Sequence, residues 1–310
     1  GGVVAAPVMA ADGSQFALAT DARSRLLASF DNGQIKLWRL RSPPLTDRVA
    51  APMVSDTLRF DGRHLVSADG SRVSVFDVGT NRTVGKTVAL SEAPTYAGLD
   101  GSGTRLIAFA GREISCWNWR DGIPCWPVIE LPDSPLRLSL AANASVLAVS
   151  SGGNDAGKFF EQVRIIDLAS GKQRGGTLDL PGPLGTLRLS GDGKRLLAWQ
   201  DKQSETAEAN LLYVIDTASI TILQRLAHEG KNEKQIVYDA RFMPDGSIWS
   251  RSNRTWNSTA GGDPWLWHWN ADGELLAKMP ESFDWAGLLT LPGADSIISM
   301  EDPDMISASG

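Results

Sequence analysis

The feature that most constrains this chain is a motif that recurs six times. Each copy has an apolar strand, a turn with Gly or Asp, a second strand rich in Leu, Ala and Ser, and an alternating third strand. The third strands end in an aromatic residue or Ile, and these residues lie 38, 41, 49, 49 and 54 positions apart. Strands with a period of two at this spacing favour repeated four-stranded antiparallel sheets over helical repeats. The six closing residues are Trp38, Phe76, Trp117, Ile166, Ile215 and Trp269.

The second strands predict close packing on both faces of each sheet. Leu196–Trp199 is typical, because its small and branched residues suit a strand that neighbours cover on both sides. Several of the preceding turns contain Asp-Gly, as at Asp61-Gly62, Asp192-Gly193 and Asp245-Gly246. Glycine there supplies the positive φ that a tight hairpin needs.

Because no long segment has a 3.6-residue apolar period, we predict an all-β fold, a seven-bladed β-propeller of four-stranded antiparallel blades. Residues 16–280 hold six units, and Trp285–Leu291 and Ser296–Met300 begin a seventh. Since an open ring would leave unpaired strand edges, we expect residues 2–9 to complete the last blade. Residues 1–310 then form a single domain. Because the chain starts without Met, we expect it to be excised from a larger protein.

The ends of the third strands resemble those of the WD-repeat family of β-propellers, over nearly the whole chain. Phe76-Asp77 and Trp117-Asn118 carry the resemblance, and Ile166-Asp167 and Ile215-Asp216 are weaker versions. The family's Gly-His dipeptide is missing, and only His228 lies near the start of a blade. The resemblance therefore implies that the family's Asp-His-Ser-Trp hydrogen-bond network is absent and that apolar packing holds the blades. The repeat style also resembles bacterial WD-repeat domains that follow signalling ATPase or kinase modules.

Composition limits the partners. Thirty-six acidic residues outnumber 30 basic ones, giving a net charge of −6, which argues against a nucleic-acid partner. No run of 18 apolar residues occurs, so we expect no membrane insertion. The sequence does not fix the compartment, and the cytoplasm is the default expectation.

Chemical motifs are few. Gly85-Lys86-Thr87 resembles the end of a phosphate loop, but the earlier glycine that such a loop requires is Thr80, and a strand follows. His64, His228 and His268 fall in different repeat units, without a second ligand at metal-binding spacing. We therefore expect no catalytic residue, no cofactor and no metal, and we expect the protein not to be an enzyme.

Cys116 and Cys125 flank one hairpin turn. A three-residue turn at Arg120–Gly122 would pair Cys125 with Trp117 and point Cys116 to the opposite face. On this reasoning only a two-residue turn would place the sulfurs opposite each other, so the sequence leaves a disulfide open.

Insertions between the second and third strands lengthen the fourth, fifth and sixth units. They cover residues 152–161, 202–210 and 254–264. Equivalent loops of successive repeats emerge on one face, so we expect these three to form one surface, here called the long-loop rim. Loops on a rigid scaffold often carry function, and large aromatic side chains often anchor interfaces. The candidate partner-binding residues are Lys158, Phe159, Phe160, Arg254, Trp256 and Asn257.

Phe159 and Phe160 have a second interpretation, as the start of the third strand, and Trp256 could pack only against its own loop. The sequence thus favours a non-enzymatic interaction or sensing module that binds a protein or peptide at the long-loop rim, with other domains of the same parent chain as further partners. One alternative is a propeller hydrolase or lyase with channel-lining Asp and Arg residues. Another is a purely structural scaffold.

Overall fold

The protein is represented by a computed structural model. It describes residues 18–20, 26–31, 34–39, 45–50, 64–77, 80, 82–143, 145–155, 158–200, 210–229, 235–254, 265–280, 288–290 and 297–299. Over these residues all regular structure is β, and every strand pair is antiparallel. No helix there is long and apolar enough to cross a membrane. The expected closing strand at residues 2–9 lies outside the described residues.

The strands fall into seven sheets in chain order. Sheet 1 holds β1 (Leu18–Thr20), β2 (Leu26–Asp31), β3 (Gln34–Arg39) and β4 (Leu45–Ala50); sheet 2 holds β5 (His64–Asp69), β6 (Arg72–Asp77) and β7 (Arg82–Ala89); sheet 3 holds β8 (Tyr96–Leu99), β9 (Arg105–Ala110), β10 (Glu113–Asn118), β11 (Ile123–Pro124) and β12 (Ile129–Glu130). Sheet 4 holds β13 (Pro135–Leu140), β14 (Val146–Asp155), β15 (Lys158–Asp167) and β16 (Lys172–Pro181); sheet 5 holds β17 (Leu184–Leu189), β18 (Arg195–Gln200), β19 (Leu211–Asp216) and β20 (Thr221–Ala227). Sheet 6 holds β21 (Gln235–Phe242), β22 (Ile248–Arg254), β23 (Trp265–Trp269) and β24 (Leu275–Pro280); sheet 7 holds β25 (Leu288–Thr290) and β26 (Ile297–Ser299).

Sheets 1, 4, 5 and 6 are four-stranded, with each strand bonded to the next in sequence. This meander confirms the predicted repeat of four antiparallel strands, and β25 paired with β26 matches the predicted start of a seventh unit. The chain divides into two compact units, one of Gly1–Glu130 with Pro303–Gly310 and one of Leu131–Asp302. That residues 1–310 form a single domain stays a prediction.

The described apolar cores lie between sheets 2 and 3, between sheets 4 and 5, and between sheets 5 and 6. In the second unit, β18 serves two of them because its side chains alternate between its faces. Leu196 and Ala198 pack in the core shared by sheets 4 and 5, whereas Leu197 and Trp199 pack in the core shared by sheets 5 and 6. The second strand is therefore buried on both faces, as predicted. In the first unit, a similar core joins sheets 2 and 3.

Asp167 and Asp216, the polar residues that end β15 and β19, have a structural role. Asp167 Oδ1 accepts hydrogen bonds from the backbone N–H groups of Ala169 and Ser170, at 3.1 and 3.0 Å. Asp216 caps its turn in the same way through the N–H groups two and three residues on. A hydrogen bond from Arg174 is the main reason that the pKa of Asp167 lies below its ordinary value.

Glycine acts at the first-to-second-strand turns as predicted. Gly193 and Gly246 have φ values of +71° and +87°, and each N–H closes a turn onto the carbonyl three residues back. In this left-handed region a side chain would be strained. The Asp61-Gly62 turn lies outside the described residues.

The expected cysteine register is wrong. Trp117 pairs with Pro124 rather than with Cys125, and the Cys125 N–H donates to the Cys116 carbonyl at 2.8 Å. The turn therefore spans residues 119–122, which places the two cysteines opposite each other without a two-residue loop. Both thiols are free, with Cys116 buried and Cys125 exposed. Burial is the main cause that raises the pKa of the Cys116 thiol.

Candidate functional site: the long-loop rim of sheets 4 to 6

The first rim segment is a hairpin rather than a loop. The β14–β15 ladder runs from Val146 opposite Asp167 to Asp155 opposite Lys158. The prediction of a loop over residues 152–161 is thus wrong for residues 152–155 and 158–161, because these inserted residues extend both strands. The second interpretation, that Phe159 and Phe160 begin the third strand, is confirmed.

An exposed apolar surface, here called the Phe159 patch, consists of Leu136, Gly152 and Phe159. The side chains of Leu136 and Phe159 are each 41% exposed. A Cβ atom at Gly152 would lie 2.9 Å from Leu136 Cδ1 and 3.0 Å from Phe159 Cζ, so both side chains reach over this glycine. The hairpin therefore holds the ring in a fixed place while leaving much of it open to solvent.

A buried carboxyl group fixes the base of the hairpin that carries the Phe159 patch. Glu161 is 1% exposed, and its Oε1 accepts the Leu184 N–H at 2.8 Å while its Oε2 accepts the Ser150 hydroxyl. Arg137 Nε donates to the carbonyls of Leu184 and Gly185, at 3.0 Å each. These bonds join sheet 4 to the start of β17. Hydrogen bonds to charged groups are among the stronger ones in proteins, so the base of the hairpin is well fixed.

The other side of the hairpin base is also pinned. Arg164 is 7% exposed and donates to Ser151 Oγ at 2.7 Å and to Gln162 Oε1 at 2.6 Å. Burial is the main cause that lowers the pKa of this guanidinium, and the negative charges of Asp179 and Asp133 oppose the shift.

The last residue of the second rim segment is hydrogen-bonded to a buried histidine. The carbonyl of Asn210, which ends that segment, accepts the backbone N–H of His228 at 3.0 Å. His228 Nδ1 also lies 3.2 Å from the carbonyls of Asn210 and Leu226. Because carbonyls only accept, Nδ1 carries the proton and Nε2 accepts from the Ser250 hydroxyl at 2.7 Å.

The expectation that the Asp-His-Ser-Trp network is absent is wrong in part, because its His-Ser-Trp portion is present at sheet 6 without an aspartate. The Trp269 indole N–H donates to Ser250 Oγ at 2.9 Å, which completes a chain from His228 through Ser250 to Trp269. Backbone carbonyls take the place of the aspartate at the other histidine nitrogen. Complete burial is the main cause that lowers the pKa of His228 to about 4, so the imidazole is neutral.

Next to the end of the third rim segment, Lys278 of β24 lies over the indole rings of two tryptophans in β23. Lys278 Nζ lies 4.0 Å from the centre of the Trp267 ring and 4.6 Å from that of Trp265, and it donates to the Glu229 carbonyl at 3.1 Å. Cation–π contacts of this length are attractive. Burial lowers the pKa of Lys278.

The structure places the predicted site residues unevenly. Phe159 is exposed, whereas Phe160 is half-buried between Gly153 and Pro181 on the neighbouring strands. Lys158 and Arg254 lie in β15 and β22, and their side chains are outside the description. Trp256 and Asn257 lie outside the described residues. The candidate rim thus rests on Phe159.

Sequence reasoning missed three residues of this region. Leu136 sits at a bulge between Pro135 and Arg137, which the pattern does not reveal. Glu161 was counted as part of a polar loop, although a carboxylate two residues before the buried Val163 on an alternating strand was a usable signal. His228 was noticed only as a residue near the start of a blade. Among the described residues, no group of three or more His, Cys, Asp or Glu side chains could hold a metal ion.

Comparison with solved structures identifies the architecture. The chain is similar to the β-propeller domain of Cps50 (Swd1) from Myceliophteria thermophila, with a TM-score of 0.64, 13% identity and 93% of each chain covered. It is also similar to hydrazine synthase from Kuenenia stuttgartiensis, with a TM-score of 0.63 and 14% identity over 98% of this chain and 99% of that one. No protein-family model matches the chain, and no curated protein does. At these identities the likeness shows the fold, a β-propeller; seven blades and the WD-repeat type stay predictions.

Proposed function

We propose that this propeller is a non-enzymatic interaction module that binds a protein or peptide at the long-loop rim. The observation that carries the proposal is the Phe159 patch, in which a large aromatic ring is held on an anchored hairpin and left 41% exposed. Aromatic side chains with little rotational freedom are typical anchors of protein interfaces. The β-propeller domain of Swd1 shares the fold.

Panning a phage-displayed library of random peptides against the whole chain tests the proposal. Peptides that bind through the rim should lose at least tenfold in affinity to Phe159→Ala, because the ring is the larger of the two exposed apolar side chains of the patch. Trp256→Ala should weaken the same peptides if the third rim segment takes part. Melting temperatures should stay close to that of the parent protein.

Leu223→Ala is the matched control, since Leu223 is a 53% exposed apolar residue of β20. Equal affinities for the parent, Phe159→Ala and Leu223→Ala proteins would reject the rim as the binding surface. A large fall in the melting temperature of Phe159→Ala would mark the ring as a packing residue instead.

The alternative as a propeller hydrolase or lyase makes a different prediction. Stoichiometric calcium or zinc in protein purified without chelators would favour it, because such enzymes gather carboxylates around a metal ion at the central channel. The likeness to hydrazine synthase keeps this measurement worthwhile.

A further inference from the structure

A polar cleft of about 410 Å³ lies in the first compact unit, and all its lining residues precede the long-loop rim in the sequence. It is here called the Trp119 cleft. It opens where β5 begins, β6 ends, β7 bulges and the turn after β10 passes. Its walls are His64, Asp77, Val84, Gly85, Trp119 and Arg120.

The back of the cleft is fixed. Trp119 is 3% exposed, its indole N–H donates to the Gly103 carbonyl at 3.0 Å, and its own carbonyl accepts the Lys86 N–H at 2.8 Å. Gly85 has a φ of +71°, and a Cβ atom there would lie 2.4 Å from the Trp119 carbonyl oxygen. Only glycine therefore lets β7 approach this turn, and its missing side chain leaves the cleft open.

Arg120, which lines the cleft, and Lys86, which lies beside it in β7, lack acidic partners. The Arg120 guanidinium carbon lies 4.4 Å from the centre of the Trp119 ring, so stacking orients its N–H donors. Lys86 lies beside the same turn, since a Cβ atom placed on Gly122 would be 3.2 Å from the Lys86 Cβ. Within the described part of the chain, neither side chain forms an ion pair or a side-chain hydrogen bond.

The acids near the cleft already have partners. Asp77 accepts the Thr80 N–H at 3.0 Å, and its Oδ2 lies 4.0 Å from His64 Nε2. Asp121 accepts the Asn118 amide at 2.7 Å and the Ile123 N–H at 2.9 Å. The carboxyl groups of Asp77 and Asp121 are thus held by other groups, whereas the Arg120 guanidinium keeps N–H donors that no described carboxylate accepts.

We propose that the Trp119 cleft binds a carboxylate group, either of a small organic acid or of a peptide C-terminus. A planar guanidinium held on an indole presents parallel N–H donors that match the two oxygens of a carboxylate. The cleft binds it with Arg120 as the main contact and Lys86 as a supporting charge. This binding is independent of the long-loop rim.

Nuclear magnetic resonance of the ¹⁵N-labelled whole chain tests the cleft. The probes are N-acetyl-dialanine with a free carboxylate, the same peptide as its C-terminal amide, and succinate. The acid peptide should shift the Trp119 indole N–H signal saturably, whereas the amide should leave it in place. Tighter binding of succinate than of the acid peptide would identify a small acid as the source of the carboxylate, and the reverse order a peptide C-terminus.

Arg120→Gln should weaken the acid peptide at least tenfold, while Arg72→Gln, an exposed arginine at the other end of β6, should leave its affinity unchanged. Equal shifts from the acid and the amide, no saturable shift, or full affinity in Arg120→Gln would each overturn the proposal. The Trp119 signal also reports whether each variant keeps its fold.

Discussion

The two junctions on either side of sheet 5 reach similar burial by different chemistry. Toward sheet 4 the core is mostly aliphatic around Tyr213, and its loop end is closed by the Glu161 carboxyl group bound to Ser150 and Leu184. Toward sheet 6 the core mixes aliphatic residues with three tryptophans, and its loop end is closed by the neutral His228, Ser250 and Trp269 chain. The comparison shows that one propeller can fasten neighbouring blades with a buried carboxyl group in one place and with a histidine–serine–tryptophan chain in the next.

The largest expected effect is at the junction between sheets 4 and 5, where Glu161 is buried. Glu161→Ala should lower the free energy of unfolding by about 3–5 kcal/mol, because it leaves the Ser150 hydroxyl and the Leu184 N–H buried without an acceptor. Chemical denaturation measures this loss. Glu161→Gln should cost less, since the amide oxygen still accepts one bond. Glu130→Ala, which removes an exposed partner of Arg112, should change stability by about 0–1 kcal/mol.

At the junction between sheets 5 and 6, we expect a smaller loss of stability when Ser250, the residue that links His228 to Trp269, is replaced. Ser250→Ala removes the acceptor of Trp269 and the donor of His228, which we expect to cost about 2 kcal/mol in denaturant unfolding. Ser219→Ala, at an exposed turn of the same sheet pair, is the control. A Ser250→Ala loss as large as that of Glu161→Ala would show that the two junctions do not differ in how strongly their polar groups stabilise the fold.

Acid should weaken the junction between sheets 5 and 6 selectively. The pKa of His228 falls from its ordinary 6.5 to about 4 on folding, so between these values the unfolded chain binds a proton that the folded chain does not. Stability from this histidine is present above pH 6.5 and is lost as the pH falls toward 4, by about 2 kcal/mol at pH 5. The difference in stability between the parent and His228→Gln, followed from pH 7 to 4.5, should shrink accordingly. A constant difference would contradict a neutral buried imidazole.

The smallest effect concerns the lysine beside that histidine. Lys278→Met keeps most of the aliphatic stem but removes the contacts of Nζ with Trp265 and Trp267, which we expect to cost about 0.5–1 kcal/mol. Because the Lys278 charge helps to lower the pKa of His228, the variant should also lose less stability on acidification. Lys194→Met, at an exposed turn, should alter neither property.

Much of the fold could be predicted from local pattern. Alternation along β18 and the Asp-Gly turns at Gly193 and Gly246 depend on short-range geometry, which the sequence encodes directly. The hairpin around Phe159 and the opposed cysteines could not be predicted in the same way. Strand extension and turn length depend on which residues find backbone partners across the sheet, and several registers satisfied the same pattern.

The site depends even more on long-range contact. Phe159 was proposed because it is large, aromatic and inserted, but its anchoring by Glu161 and its contact with Leu136 join segments far apart in the chain. The hub at Ser250 was hidden for the same reason, since a serine in a second strand looks like any small residue that fits a crowded sheet.

Because β18 contributes alternate side chains to two different cores, the packing of each core separately fixes its register with β19. A single added or deleted residue within Arg195–Gln200 would exchange the two faces of β18. The side chains that now pack against sheet 4 would then face sheet 6, and the reverse, so neither core would pack correctly. An added residue between β18 and β19 would leave that alignment intact. Natural variation in length should therefore accumulate in the connections, while the short central strands keep a constant length.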